Sequence, residues 1–175
     1  MPGSAALICD VVNTRDVEAG TDRLSSPAAL GDWLRGHGLL SDVARVTEGD
    51  RRTAVLLRES LRSALISHHD ADEEPAAPDL DRLARDLPLR LAFPSGGPRL
   101  EPTEGGVRGA LAAVVAEVQR AVGDGSWPRL KVCPADECAW AFYDSSKNRS
   151  RTWCSMRVCG NRAKTRTFRA RHGTA

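Results

Sequence analysis

The stretch Cys133–Arg162, CPADECAWAFYDSSKNRSRTWCSMRVCGNR, holds two C-x4-C pairs, Cys133/Cys138 and Cys154/Cys159, with fifteen residues between them. A reactive thiol, a disulfide and a metal cage are the three readings such cysteines allow. In a cytoplasmic chain, short-spaced pairs bind metal more often than they form disulfides. Zinc takes four soft ligands at tetrahedral corners, and two tight turns can deliver two each. The expectation is one structural Zn2+ held by Cys133, Cys138, Cys154 and Cys159. A closed four-thiolate site leaves no open position for water or substrate. The H-x-E with P-C-x-x-C of zinc deaminases and the H-E-x-x-H of metalloproteases are both missing from the sequence. No catalytic residues are assigned, and the chain is read as a binding protein.

Working outward from the cysteines, KVCPADECAWAFYD reads as two strands joined by the first knuckle. Trp140 and Phe142 fall on one side of the second strand, and Trp153 packs over the site. Core packing is their expected role in a module with so little apolar surface, with base stacking as the alternative. SSKNRSRT is a polar turn, for which Asn148 or Ser145 can supply caps. After Cys159, NRAKTRTFRARH has no helix breaker until Gly173. As a helix it places Arg162, Arg166 and Arg169 in one cationic stripe and turns Ala163 and Phe168 toward the cysteines. Like charges at that spacing repel, so the stripe favours an anionic partner. The candidate nucleic-acid contacts are Lys147, Arg149, Arg151, Arg162, Lys164, Arg166, Arg169 and Arg171. A helix of this kind can sit in a DNA groove or run along a phosphate backbone.

The formal charge of +2 conceals an asymmetry. Residues 129–175 carry eleven Lys and Arg against three carboxylates, Asp136, Glu137 and Asp144. Residues 1–128 hold the remaining 14 basic and 20 acidic residues. An acidic body with a basic, polyanion-seeking end is the result. Zinc with four thiolates contributes a net −2, so the loaded module keeps a charge of roughly +6.

The body, 1–126, reads as mainly helical, and the zinc module occupies 127–175. SSPAALGDWLRGHG predicts a helix capped by Ser26, with Pro27 at its first position and Gly36 or Gly38 at its end. Leu57, Leu61 and Leu65 predict a helix over about 49–69, and PDLDRLARDL predicts a short one. DADEEPAAPD is an acidic, proline-bearing loop. LRLAF with PSGGP predicts a small hairpin over 88–101, and the apolar stripe from Val107 to Val122 a long helix over 106–122. The N-terminal run ALICDVVNT is read as a strand or a buried turn. Cys9 within it is a buried, inert thiol. Asp10, Asn13, Thr14 and Arg15 could line a small-molecule pocket, although a capped strand end is the expected role. His68 and His69 are read as a solvated helix end.

The fold class is therefore mainly α (α+β). A helical body with a small β-hairpin precedes a four-cysteine finger, zinc-ribbon or treble-clef-like, that ends in a basic helix. No run reaches the ~20 apolar residues of a membrane helix. The N-terminus lacks a basic n-region, so a cytoplasmic location without membrane attachment is expected.

CPADECAWAFYDSSKNRSRTWCSMRVCGNRAKTRTFRARH resembles the CGNR zinc finger, named for the tetrapeptide at Cys159-Gly160-Asn161-Arg162. The body resembles the ABATE domain usually found ahead of that finger, through CDVVNT, LGDWLRGHGLL and RESLRSAL. The family's usual aromatic before Val-Asn-Thr is Val11 here. The resemblance implies a bacterial, stress-related transcription regulator whose finger binds zinc and nucleic acid. DNA is the favoured partner, with the body sensing a small-molecule effector or forming a homodimer. Two alternatives remain open. One is an RNA-binding or ribosome-associated protein; the other is an enzymatic or metabolite-binding body with a purely structural finger.

Overall fold

The computed structural model describes residues 1–69 and 78–172. Most of the acidic DADEEPAAPD stretch, and the breaker Gly173, lie outside the described residues.

The first element corrects the sequence expectation. Gly3–Val12 is a helix, α1, rather than a strand or turn. Ala5, Ile8, Cys9, Val11 and Val12 are all buried, as in a helix apolar nearly all round. A short continuous apolar run cannot be divided between buried helix and buried strand by its periodicity, which is why the sequence was ambiguous here. A small hairpin follows, β1 (Arg15–Asp16) paired with β2 (Thr21–Asp22). Helix α2 (Pro27–Gly36) starts as expected, with the Ser26 side chain accepting from the Ala29 N–H. It is closed by Gly38 at φ +67, a backbone conformation that glycine adopts without strain.

Helix α3 (Glu48–Ile66) opens on a capping box between Thr47 and Asp50 and runs into a 3-10 turn at Ser67–His69. After α4 (Pro78–Arg85), strands β3 (Leu89–Ala92) and β4 (Arg99–Pro102) form the expected antiparallel hairpin. Helix α5 (Gly106–Gly123) buries Val107, Leu111 and Val114. Its buried face turns onto Ala110, Ala112, Ala116 and Ala121 and leaves Val122 exposed. Small alanines allow close contact with α1, its main partner.

The finger consists of antiparallel β5 (Leu130–Val132) and β6 (Ala141–Tyr143), a π-turn at Met156–Gly160, and helix α6 (Asn161–His172). Its strands are part of the body's core. Leu130, Val132 and Ala141 belong to the same buried cluster as Ile8, Leu34, Leu57, Leu61, Leu65 and Leu111. Each large aliphatic side chain buried there contributes about 1.5–3 kcal/mol. The second cluster is small: Cys133, Ala135, Cys138, Phe142 and Cys159, with Trp153 and Cys154 against them. So few apolar groups cannot fix a loop of this length without a metal. No described helix is long and apolar enough to cross a membrane.

Candidate metal centre and nucleic-acid interface

The four cysteine sulfurs all lie within 4.8 Å of one another. Cys138 and Cys154 Sγ are 3.5 Å apart, Cys154 and Cys159 Sγ 3.7 Å. These separations are far longer than the ~2.05 Å of a disulfide. They match the edge of a tetrahedron, about 3.8 Å for a Zn–S bond near 2.3 Å. Burial first, and then the crowded neighbouring sulfurs, push the Cys154 thiol well up and Cys159 up to about 11. Four thiolates in this space are stable together only around a cation. The residues therefore fit one structural zinc, with four sulfurs and no vacant ligand position. Cys9, buried in α1 and not one of the four clustered cysteines, has its thiol pushed up to about 12 by burial and the nearby Asp10, which makes it inert.

Local chemistry explains how the loops reach the cage. At Gly160 the backbone lies close against the Met156 thioether and the Trp153 ring, so a Cβ there would displace the flexible, exposed Met156 side chain. Asn161 Nδ2 donates to the Arg157 carbonyl (3.1 Å), closing the turn ahead of α6. Phe142 packs in the cysteine cluster, whereas Trp140 is partly exposed and outside it.

The polar turn is organised by Asp144 and Lys131, neither of which the sequence marks as a site residue. The Asp144 carboxylate is fully buried and ion-pairs with Lys131 Nζ at 3.0 Å. It also accepts from Ser146 N–H and Oγ and from the Arg151 N–H. Burial alone would raise its pKa, but these donors outweigh it and hold the carboxyl at about 2. Asp followed two residues later by Ser is the signal that could have located this turn. Lys131 carries no comparable mark. Neither Asn148 nor Ser145 is the cap; Ser146 Oγ accepts from Ser150 N–H at 3.0 Å.

The basic residues divide into three groups. Arg151 serves the finger itself: its guanidinium donates to the carbonyls of Trp153 and Cys154 and lies 4.8 Å from the Phe142 ring centroid. Arg162 reaches Glu18 of the β1–β2 turn at 2.6 Å, and Arg166 reaches Glu137 at 3.3 Å. Both pairs are exposed and worth little energetically. Lys147, Arg149, Lys164, Arg169 and Arg171 are exposed, with no carboxylate partner among the described residues. Arg157, left out of the sequence-based contacts, lines an open depression of about 610 Å³ with Arg162, Arg166 and Arg169. Helix α6 has no buried residue. Phe168 does not face the cage as expected; it is 62% exposed and stacks on His172 at 4.3 Å.

The four residues of the suggested pocket are not brought together. Asp10 and Asn13 border an open groove beside Trp140 and Tyr143. Thr14 is buried, donating to the Val11 carbonyl at 2.7 Å, and Arg15 lies in β1. Asn13 reads the finger's backbone: Nδ2 donates to Ala141 O (2.9 Å) and Oδ1 accepts from Ala141 N–H (2.7 Å).

His68 and His69, expected in solvent, are half-buried and dock on β5. His68 Nδ1–H donates to Leu130 O and His69 Nε2–H to Val132 O, both at 2.7 Å. From RESLRSAL, Arg62 donates to Ala139 O in the first knuckle and to Val12 O at 2.7 Å. Arg58, fully buried, ion-pairs with Asp22 at 2.7 Å and Glu59 at 2.8 Å. His68, His69 and Arg62 position the finger on the body, while Arg58 ties α3 to the β1–β2 hairpin.

Comparison with protein families agrees with this division of labour. Residues 129–172 match the CGNR zinc finger, and residues 5–132 match ABATE, described as "Putative stress-induced transcription regulator". No curated protein matches the chain. With most of its length matched and its four-cysteine cage in place, the chain belongs to the ABATE family and carries a CGNR zinc finger at its C-terminal end.

Proposed function

We propose that the protein is a DNA-binding transcription regulator of bacterial type, acting in the cytoplasm, with no catalytic step of its own. Its finger depends on zinc, and its acidic helical body senses an effector or forms a dimer. The observation that carries the reading is α6. A helix with no buried residue projects from a closed metal cage and bears five Lys and Arg in twelve positions. Such a helix contributes nothing to the core, and its repelling cations are relieved by polyanion phosphates. The exposed ion pairs to Glu18 and Glu137 are weak enough for phosphates to displace. Family membership in a group described by transcription regulation points the same way.

The test is a titration of the zinc-loaded protein into labelled duplex DNA from its own genomic neighbourhood at two salt concentrations. Binding that weakens steeply with salt is expected, with a slope of about −0.9 per phosphate neutralised. Failure to bind at low salt removes the reading. Competition by duplex RNA and single strands decides between DNA and RNA as partner.

A further inference from the structure

We infer that α6 enters the major groove of a B-form duplex and contacts the phosphates of both strands, one on each flank; this rests on the nucleic-acid reading above. The cations of α6 do not form one stripe. At about 100° per residue, Arg162, Arg166 and Arg169 fall within about 60° of one another. Lys164 and Arg171 are centred about 180° away. The surroundings confirm two separate flanks. Arg162, Arg166 and Arg169 share one depression with Arg157 and Glu137. Lys164 and Arg171 line a different one, with Trp153, Thr167 and Phe168.

A helix lying along a single phosphate backbone would use one flank and leave the other in solvent. A helix between two backbones uses both. With side chains an α-helix is about 10–12 Å across, and the major groove of B-DNA is about 12 Å wide. The major groove of A-form RNA is too narrow and deep to admit it. Twelve residues extend about 18 Å, roughly five base-pair steps of ~3.4 Å. Between the flanks the helix carries Asn161, Thr165, Phe168 and His172 on one side, Ala163, Thr167 and Ala170 on the other. Of these, Ala163, Ala170, Phe168 and the threonine methyls suit thymine methyl groups, and Asn161 and His172 are polar. The turn before the helix adds Arg157 to the first flank, and no residue of α6 is buried, which leaves the helix accessible to a groove.

The experiment uses the full zinc-loaded chain and a labelled DNA duplex of about two helical turns. Two variants are compared with the parent: Arg166→Gln with Arg169→Gln, and Lys164→Gln with Arg171→Gln. All four side chains are exposed, so zinc content and far-UV circular dichroism should match the parent. Each pair should lower the logarithmic salt slope by about 1.8, two phosphates at ~0.9 each. A major-groove dye should compete, and a minor-groove ligand should not. Loss confined to one pair of substitutions overturns the two-strand geometry, as does equal affinity for duplex RNA or single strands; both results leave nucleic-acid binding standing. Failure to bind DNA, RNA and single strands alike removes the nucleic-acid reading and this inference with it.

Discussion

The Asp144 carboxylate accepts four hydrogen bonds, from Lys131 Nζ, Ser146 N–H, Ser146 Oγ and Arg151 N–H, at a site with no exposure. The chain between the two knuckles thereby gains a fixed path, and Arg151 is aimed at the carbonyls beside Cys154. Asp144→Asn keeps the shape but removes the charge opposite buried Lys131. Breaking a buried pair in this way costs about 3–5 kcal/mol. Chemical denaturation of the zinc-loaded variant should show that loss together with weaker zinc retention. An unchanged midpoint would mean that the pair contributes nothing. At the same scale, the four residues of the Cys-Gly-Asn-Arg tetrapeptide make four different contributions. They supply a ligand, room for Met156 and Trp153, a closed turn, and a cation paired with Glu18 of the body.

Among elements, the seam between α3 and β5 determines how the finger is held. His68 and His69 extend α3 by one turn and give their N–H groups to successive inward carbonyls of β5. Burial is the main force lowering the His68 pKa, and it outweighs the favourable bond to Leu130. The sign follows directly. The unfolded chain takes up this proton more readily than the folded one, so His68 favours folding above the ordinary histidine range near pH 6.5 and loses that contribution as pH falls through it. His68→Asn retains an N–H for Leu130 O but cannot titrate. Stability measured at pH 7.5 and 5.5 should therefore fall less in the variant than in the parent. Equal losses would show that His68 does not titrate with folding. Of the seam, the sequence showed only ingredients. A histidine pair at a helix end resembles a solvated terminus until the strand it meets is known. Asn13 likewise resembled a strand cap, because its partner Ala141 lies 128 residues away.

At the scale of the whole molecule, what could be read in the sequence was what local chemistry dictates. Ser26-Pro27 and the leucines at 57, 61 and 65 placed their helices, and two matched C-x4-C pairs located the cage before any coordinates. Burial that depends on distant partners was hidden. It made a helix of the apolar run up to Val12, placed Arg58 and Arg62 in the interior, and put the finger's strands into the body's core. The division of the α6 charges between two flanks was also legible in the spacing of Lys164 and Arg171, and the depressions on either side show what each flank faces. One zinc holds the base of one exposed helix, so metal and binding should rise and fall together. The most direct measurement is the fluorescence anisotropy of a labelled DNA duplex titrated at low salt with the same preparation, first zinc-loaded at one metal per chain and then stripped by chelator. The loaded protein should bind, the stripped protein should lose at least ten-fold in affinity, and added zinc should restore it. Equal binding by both forms, or no binding by the loaded form, would contradict the account.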